Sequence, residues 1–349
     1  MEYTGLGRLT ERLCSVPGPS GSEYNVHATL KELLQPLADE VTTDVMGNLL
    51  AVKRCGIENA PRLLLDAHLD EVGLIVTGYD KGFLCFDTLG GVDPRMLPAR
   101  EVTVLTDPPL HGVIDTLPPH ILKGSEMDKT VERDKLRIDV GLSDEAARAR
   151  VPQGTPVVFY ADCIPLGKNR ICSKALDDRA GAALRVSVME HLQNKKLAVD
   201  IYCQFASQEE LGMRGSITGT YSVNPDEALV VDVTHGSTPD AKKEETLLMG
   251  GGAAIGVGPN MTRRMSDKLL ALAKEKEIPY QVEVLRGCSG TNAWAIQVSR
   301  SGVATALISL PVRYMHTPVE TMDLRDAEAI VRLLCAYIES YGEEDMPHA

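Results

Sequence analysis

Histidines and acids that can bind metal follow several short apolar runs in the sequence. Runs of this kind lead into His68 with Asp70, Glu209 with Glu210, Asp232, and His316. A further acid, Asp177, stands where a helix is predicted to begin, and the positive end of a helix dipole stabilises an ionised carboxylate. In open α/β sheets, side chains at the carboxyl ends of different strands meet at one edge. The pattern therefore predicts that these scattered residues converge on one site.

The types of side chain indicate what such a site would do. Imidazole and carboxylate ligands without thiolate suit zinc, cobalt or manganese, and one bridging carboxylate can hold two ions about 3.5–4 Å apart. Such a pair supports hydrolysis, because one ion polarises a carbonyl while the pair activates a water. A carboxylate outside the ligand set must take the proton of that water, and Glu209 and Glu210 can divide the two tasks. Asp70, two residues beyond His68, could orient that imidazole from behind.

Each of these residues also has an ordinary structural explanation. A histidine such as His316 can belong to a turn, and paired acids are usually solvated. Asp177 and Asp178 could simply cap a helix. These explanations would all have to hold independently, which favours the shared site. Asp178 keeps a capping or supporting role, and His235 is a candidate for a supporting role beside the ligands.

Hydrophobic periodicity predicts the elements that would position these residues. Apolar residues between 26 and 37 recur at helical spacing, and runs at 48–52 and 62–65 predict strands covered on both faces. Between 73 and 163 the chain changes to short β-type runs separated by Gly, Pro and Asp, with one short helix at 144–150. After 163, helices and strands alternate. Helices are predicted at 178–193, 265–276, from 292, and at 326–341, and strands at 198–205, 228–233, 280–285 and 304–310.

The predicted fold class is therefore α/β, with a mainly parallel sheet flanked by helices and an inserted small β-barrel-like domain. We divide the chain into a first part of the main domain at 1–72, the inserted β-rich domain at 73–163, and the second part of the main domain at 164–349.

Composition excludes several classes of protein. The formal charge of −13 over 349 residues opposes binding to nucleic acid or to an anionic membrane surface. The first residues lack the features of a signal peptide, and no apolar stretch is long enough for a membrane span, so we expect a cytoplasmic protein. The eight cysteines form no Cys-x-x-Cys pair, so neither a zinc ribbon nor a disulfide framework is indicated.

Seven stretches carry a resemblance to a known family. They are, in order, PGPSGSE, DAHLDEVG, KALDDRAG, SQEELGMRGS, VVDVTHG, CSGTNA and PVRYMHTPVE. Together they resemble the dinuclear metalloaminopeptidases of glutamyl, leucyl and deblocking type, metallopeptidase family 42. The resemblance covers nearly the whole chain and is specific, because the motifs appear in the order that the family has.

The resemblance implies a role for each candidate residue. One ion would be bound by His68 and Asp232 and a second by Glu210 and His316, with Asp177 bridging both. Glu209 would then be the general base, and Asp70 would orient His68. The resemblance also implies a zinc-peptidase-like fold with an inserted dimerisation domain, and short peptides as substrates. It implies two divalent ions per subunit, zinc or cobalt, with manganese as a further candidate. It further implies a homo-oligomer in which dimers assemble into a dodecamer.

One position departs from the family pattern. Where the family usually has Gly-Thr-Asp-Ala, this chain has Asn292 in place of the acid. The amino-terminal residue that the enzyme prefers in its substrates therefore stays open. Other functions also stay open at this point. They are a carboxypeptidase or an amino-acid deacylase on the same scaffold, a non-catalytic metal-binding scaffold, and glycoside hydrolysis by paired carboxylates, which would leave both histidines without a role.

Overall fold

The structure is a computed structural model that describes residues 5–121 and 130–342. The first and last residues of the predicted main domain, 1–4 and 343–349, therefore lie outside the described residues. The helices are α1 (Gly5–Cys14), α2 (Tyr24–Leu34), α3 (Asp144–Arg150), α4 (Leu176–His191), α5 (Arg214–Val223), α6 (Arg263–Glu275), α7 (Asn292–Ile296) and α8 (Leu324–Glu339). Short 3₁₀ turns lie at Pro94–Met96, Pro119–Ile121, Arg133–Lys135 and Lys243–Glu245. No helix in the described ranges is long and apolar enough to cross a membrane.

The strands belong to one large sheet and one barrel. In chain order they are β1 (Glu40–Thr43), β2 (Leu49–Lys53), β3 (Arg62–His68), β4 (Gly73–Asp80), β5 (Phe83–Leu89), β6 (Glu101–Val104), β7 (Leu110–Ile114), β8 (Ile138–Asp139), β9 (Pro156–Phe159), β10 (Ile164–Leu166), β11 (Arg170–Ser173), β12 (Asp200–Ala206), β13 (Glu227–His235), β14 (Ala253–Val257), β15 (Tyr280–Val284), β16 (Ala304–Arg313) and β17 (Glu320–Asp323).

The large sheet has a parallel centre. Its strand order is β1-β2-β12-β3-β13-β16-β17-β11-β10, and β14 and β15 branch from β16. The four central strands β12, β3, β13 and β16 pair in parallel, while the flanking pairs are antiparallel, apart from β14 with β15. Parallel strands buried on both faces are apolar along their length, as β3 is from residues 63 to 65. Their carboxyl ends therefore lie at one edge of the sheet.

Helix α4 lies at the centre of the molecule. It packs against α1 and α8 and against strands of the sheet. Its residues from 176 to 189 are all buried, and the small residues at 180–183 let neighbouring elements approach closely. Asp177 and Asp178 precede the regular turns of the helix: their backbone angles are not helical, and the peptide bond between them is cis.

The inserted strands close into a barrel. The order is β4-β5-β8-β7-β6-β9, so no strand of the barrel is left as an edge. Inward-facing apolar side chains from these strands fill it, among them Leu74, Leu84, Val102, Ile138 and Val157. The barrel has its own apolar core, separate from the core around α4.

The predicted fold class is confirmed, and α3 spans the residues predicted for the short inserted helix. The prediction of a strand at 48–52 is confirmed by β2, whereas helices α1 and α5 and strands β1, β10, β11, β14 and β17 were not predicted. The sequence of α5, RGSITGTYSV, is rich in residues with low helix propensity, so tertiary packing holds it instead. Gly219 in α5 lies so close to Gln204 of β12 that a Cβ atom there would collide with the amide.

A fully buried arginine joins the beginning of the chain to the centre. Arg179 of α4 donates from Nε to the carbonyl oxygen of Leu69 at 2.5 Å and from Nη1 to those of Leu13 and Val16 at 2.8 and 2.9 Å. Nη2 donates to the carbonyl oxygen of Gly18 at 3.3 Å. These bonds hold the segment after α1 against the residue that follows His68.

Candidate metal centre

The structure brings the predicted ligands to one edge of the sheet. His68 is the last residue of β3, and Glu209 and Glu210 follow β12. Asp232 lies inside β13 instead of beyond its end, because β13 continues to pair with β16 as far as His235. A cavity of about 260 Å³ is lined by His68, Asp177, Glu209, Glu210, Asp232 and His316 together.

Asp177 lies between the two histidines. Its Oδ1 is 2.8 Å from Nε2 of His68, and its Oδ2 is 3.2 Å from Nε2 of His316. The side chain of Asp177 is only 6% exposed. Burial disfavours its ionised form, but the hydrogen bonds to His316 and His68 outweigh burial and lower its pKa. One carboxylate thus presents a separate oxygen to each imidazole, an arrangement that is compatible with the bridging role predicted for Asp177.

His68 is held on both sides of its ring. Nδ1 lies 3.0 Å from the carbonyl oxygen of Asp70 and 3.5 Å from its Oδ1, while Nε2 points to Asp177. Burial lowers the pKa of His68, but the hydrogen bonds to Asp177 and Asp70 raise it well above its usual value. The ring is therefore oriented with Nε2 toward the cavity, as expected when a carboxylate supports a ligand histidine from behind.

Asp70 is itself fixed by three donors. Its carboxylate accepts hydrogen bonds from the backbone N–H groups of Glu209 at 2.9 Å and Glu210 at 3.1 Å, and from the hydroxyl of Ser20. It is fully buried, and although burial raises the pKa of an acid, the bond to His68 leaves the pKa of Asp70 lowered. Asp70 thus joins β3 to the segment that carries both glutamates.

Asp232 completes the buried side of the site. Its Oδ1 lies 3.9 Å from Nε2 of His68 and accepts a hydrogen bond from the N–H of Val233 at 2.8 Å. Burial raises the pKa of Asp232 to about 8, although the charge of His68 opposes this, and neighbouring Asp177 adds to the rise. A buried acid with so few hydrogen-bond donors is typical of a residue that is neutralised by a cation.

His316 forms the more open side of the site. Its Nε2 lies 3.0 Å from Oε1 of Glu210, and its side chain is 29% exposed. Its Nδ1 lies 2.9 Å from the carbonyl oxygen of Gly91. Burial lowers the pKa of His316, but the hydrogen bonds to Asp177 and Glu210 raise it to about 11. The ring is therefore fixed between two acids and a backbone carbonyl.

Two features of this side were not predicted from the sequence. Glu320 of β17 accepts hydrogen bonds from the backbone N–H groups of Asp177 at 3.0 Å and His316 at 2.7 Å, so it ties two of the ligands together. Gly90 and Gly91 follow β5 of the barrel, and Cβ atoms there would lie 3.0 Å from Oε2 of Glu210 and 2.9 Å from Nδ1 of His316. A paired glycine after a strand is the only sequence signal of this close approach.

Glu209 lines the cavity without taking part in the contacts between Asp177 and the histidines. Burial raises its pKa to about 9, and the charges of Asp232 and Glu210 add to the rise against the opposing charge of His68. Its carboxylate and those of its neighbours thus form a cluster that cannot be fully ionised without a compensating positive charge.

The donors present are compatible with divalent metal ions. Among the described residues, three sets of side chains have ligand atoms within 4.8 Å of one another: His68, Glu209 and Glu210; His68, Asp178 and Asp232; and Asp177, Glu210 and His316. Nitrogen and oxygen donors of this kind suit zinc, cobalt or manganese. The raised pKa values of the buried acids and the shared oxygens of Asp177 both indicate a place for cations.

The remaining candidates lie at the margin of the site. Asp178 accepts a hydrogen bond from the N–H of Gly181 at 3.0 Å, the capping contact predicted for it, and it also belongs to one of the three sets. His235 is exposed at the end of β13 and lines the cavity. Asn292 is 1% exposed and does not line the cavity, so its side chain does not contribute directly to the pocket.

A larger cavity lies elsewhere. It has a volume of about 720 Å³ between α5 and α7 and is lined mainly by apolar or uncharged residues such as Ile217, Tyr221 and Trp294. None of the candidate ligands is among its described lining residues. The candidate ligands therefore converge on the smaller cavity.

Comparison with known proteins places the chain in a family. The sequence profile of the M42 glutamyl aminopeptidases matches residues 47–333. The chain is 33% identical to the lysyl aminopeptidase of Pyrococcus furiosus over 97% of its own length and 98% of that protein. The solved structure of aminopeptidase APDkam598 from Desulfurococcus kamchatkensis is 35% identical, with a TM-score of 0.90 over 98% of this chain and 96% of that chain.

A third comparison concerns assembly. The TET1 peptidase of Pyrococcus horikoshii, described as able to assemble into a tetrahedron or a large octahedral shell, is 28% identical, with a TM-score of 0.84 over 97% of this chain and all of that chain. The predicted family and the predicted class of enzyme are thus confirmed. The chain belongs to the M42 glutamyl aminopeptidase family, and it is a metal-dependent aminopeptidase.

Proposed function

We propose that the chain removes amino-terminal residues from short peptides at a centre of two divalent ions. In this proposal His68 and Asp232 would hold one ion, Glu210 and His316 would hold the other, and Asp177 would bind both. The observation that carries the proposal is the pair of contacts from the two oxygens of Asp177 to the two imidazoles, at 2.8 and 3.2 Å. Zinc or cobalt suits the donors best, and manganese is a further candidate.

The ions, when bound, would polarise the scissile carbonyl group and make a water acidic enough to act as a nucleophile. Glu209 then acts as the general base. Its carboxylate takes the proton from the attacking water and returns it to the leaving amine, as one group can do in both steps. The burial that raises its pKa in the metal-free site gives it a high affinity for that proton, while positive charge beside it favours its ionised form before reaction.

The charge of the cavity favours a free amino end over a carboxyl end. Five carboxylates line it, from Asp177, Glu209, Glu210, Asp232 and Glu283, and no lysine or arginine is among its described lining residues. A carboxypeptidase would need a cationic group for the terminal carboxylate of its substrate. A panel of peptides with free, acetylated and carboxyl-blocked ends tests this, because an aminopeptidase loses activity only when the amino end is blocked.

Replacing the base gives the main test of the mechanism. We expect Glu209→Gln to lower kcat by about 10²–10⁴-fold, the usual contribution of a general base, while two ions per subunit remain bound. The matched control is Glu328→Gln, an exposed position on α8. Activity within a few-fold of the wild type would remove Glu209 from this role.

The proposal extends to assembly and location. The barrel strands lie between Gly73 and Phe159, and apolar side chains of this region are exposed, including Val113, Leu117 and Tyr160. We assign 73–163 as an inserted dimerisation domain between 1–72 and 164–349. We assign a dodecamer assembled from dimers as the oligomer, because the similar solved structure of PhTET1-12s is described as a dodecamer. Native mass spectrometry tests the subunit number, and cell fractionation tests the predicted cytoplasmic location.

A further inference from the structure

A buried carboxylate lies in β3 just before the candidate ligand His68. Asp66 is fully buried and lies two residues before His68, so the two side chains extend from the same face of the strand. Its Oδ1 accepts a hydrogen bond from Nε2 of Gln204 at 2.7 Å, and its Oδ2 accepts one from Nδ2 of Asn292 at 2.8 Å. Both oxygens are therefore satisfied by amides, which is what an acid buried away from water requires.

One of these amides belongs to the element that carries a wall of the substrate cavity. Ser289, Gly290 and Thr291 line the cavity, and Asn292 is the next residue and the first of α7. Within the wall, the hydroxyls of Ser289 and Thr291 lie 3.0 Å apart, and Thr291 caps α7 by accepting from the N–H of Ala293. The wall and the first turn of α7 therefore form one small unit.

That unit needs an anchor. Helix α7 has only five residues, and so short a helix does not hold its position by its own backbone bonds. Ala293 and Ile296 give it apolar contacts in the cluster that includes Leu64 of β3. The bond from Asn292 to Asp66 is the polar contact that fixes its first turn to the strand that ends in His68.

The chemistry of the pair allows one acid and one amide. Two carboxylates at 2.8 Å in a buried place would repel each other, whereas an amide donates to a carboxylate. The amide at 292 is therefore matched to the acid at 66. The Oδ1 atom of Asn292 has no hydrogen-bond partner among the described residues, so the whole polar role of this side chain is its bond to Asp66.

We propose that Asn292 is a positioning residue that holds the wall of the substrate pocket at 289–291 against β3 through Asp66, and that it thereby sets which amino-terminal side chains the pocket accepts. This inference rests on the proposed aminopeptidase function. Asn292 acts through the wall and touches neither substrate nor metal ligands, so its effect is on KM and on selectivity between substrates more than on kcat.

The test uses kinetics of the wild type and four variants on aminoacyl p-nitroanilides with alanine, leucine, lysine and glutamate as the amino-terminal residue. Asn292→Asp makes two acids, Asp66→Asn makes two amides, and the double variant exchanges acid and amide. Asn292→Ala removes the donor without adding charge. Metal content and Tm are measured for every protein, because a loss of folding alone would lower Tm without changing the order of preference.

We expect Asn292→Asp to change the ratio of kcat/KM between the best and the poorest substrate by about tenfold or more, mainly through KM, with two ions retained. Asn292→Ala should change the same ratio in the same way, which keeps the test valid if Asn292→Asp does not fold. The exchanged double variant should return the ratio to within about threefold of the wild type, because the amide introduced at position 66 can accept from Gln204 and donate to the acid introduced at position 292.

Three results would decide against these ideas, and they are distinguishable. If the wild type cleaves none of the four substrates, the proposed function fails, and this inference fails with it. If the wild type is active but Asn292→Asp and Asn292→Ala keep its order of preference and KM values, only the inference fails. Simple addition of the two single effects in the double variant would also overturn it, since the coupling between the residues would then be absent.

Discussion

The two sides of the proposed metal centre differ in how they are supported. The sheet side, His68 with Asp232, lies on central parallel strands, and the His68 side chain is 1% exposed. The loop side, Glu210 with His316, follows strand ends, and the His316 side chain is 29% exposed. Asp177 belongs to both sides. The sheet-side candidates are supported by residues around the large sheet, whereas His316 on the loop side also has a contact from the segment after barrel strand β5.

The support of the two histidines illustrates this difference. His68 is oriented by Asp70, which is bonded in turn to Ser20 and to two backbone N–H groups within the same domain. The Nδ1 atom of His316 lies within hydrogen-bond distance of the carbonyl oxygen of Gly91, and Gly91 follows a barrel strand. The position of the second ligand set therefore depends on how the barrel sits on the sheet.

The largest effect is expected where the two sides meet. Asp177→Asn should release both ions and lower kcat/KM by about 10³-fold, because an amide offers only one acceptor oxygen and loss of the ions removes several kcal/mol of transition-state stabilisation. Metal content after gel filtration and steady-state kinetics measure this. Asp267→Asn, an exposed matched change on α6, should behave as the wild type. Retention of both ions would show that the sides do not share this ligand.

Removing one histidine at a time separates the sides. His316→Ala should lose one ion of the two and lower stability less than His68→Ala does, because the His316 side chain is 29% exposed. His68→Ala should also lose an ion, and in addition should lower the free energy of unfolding by about 3–5 kcal/mol, because it leaves buried acids unpaired. Elemental analysis and denaturant unfolding of metal-free protein measure the two effects, with His111→Ala on the barrel as the control. Equal loss of stability in both variants would remove the distinction.

The sheet side should also control the pH dependence of metal binding. In the metal-free protein the pKa of Asp232 is raised to about 8, so below pH 8 this acid carries a proton that a cation must displace. Affinity should therefore rise by about tenfold per pH unit between pH 6 and 8 for each proton released.

Calorimetry in buffers of different ionisation enthalpy counts the released protons. At pH 7, binding of the sheet-side ion should release at least one proton. The same release should be measured in His316→Ala, because this variant retains Asp232. Binding without proton release would contradict the raised pKa of Asp232.

The smallest effect concerns the barrel contact. Gly91→Ala would place a Cβ atom 2.9 Å from Nδ1 of His316 and so shift the ring. We expect about tenfold weaker binding of the loop-side ion, the usual cost of losing support behind a ligand, and no change at the sheet side. Gly5→Ala, where nothing lies within 4 Å of the added atom, is the control. Equal weakening of both ions would mean that the barrel supports the whole centre.

The parts of the site that were predicted are those with a local signal. Apolar runs followed by acids or histidines mark strand ends, and the parallel centre of the sheet brings His68, Glu210 and Asp232 to one edge. The short helix α3 was predicted, and its start carries local signals: Asp144 and Glu145 lie in its first turn, and the hydroxyl of the preceding Ser143 accepts from the N–H of Ala146.

The parts that were missed depend on contacts between distant segments. Nothing near Glu320 in the sequence indicates that its carboxylate accepts from the backbone of both Asp177 and His316. The approach of Gly91 to His316 depends on how the barrel packs against the large sheet. Asp66 did carry a signal, since an acid in an apolar strand requires a partner, but only the structure identifies that partner as Asn292.

The bonds of Arg179 make the first turns of the chain part of the scaffold of the catalytic edge. Its guanidinium satisfies carbonyl groups at Leu13, Val16 and Gly18, and Ser20, just beyond them, reaches Asp70. A version of the protein shortened to begin after Ser20 would lack three of the four carbonyl groups to which Arg179 donates, and it would also lack α1, which packs against α4. Proteolytic removal of this segment, or expression without it, would therefore lower catalytic activity, although every proposed metal ligand would still be present.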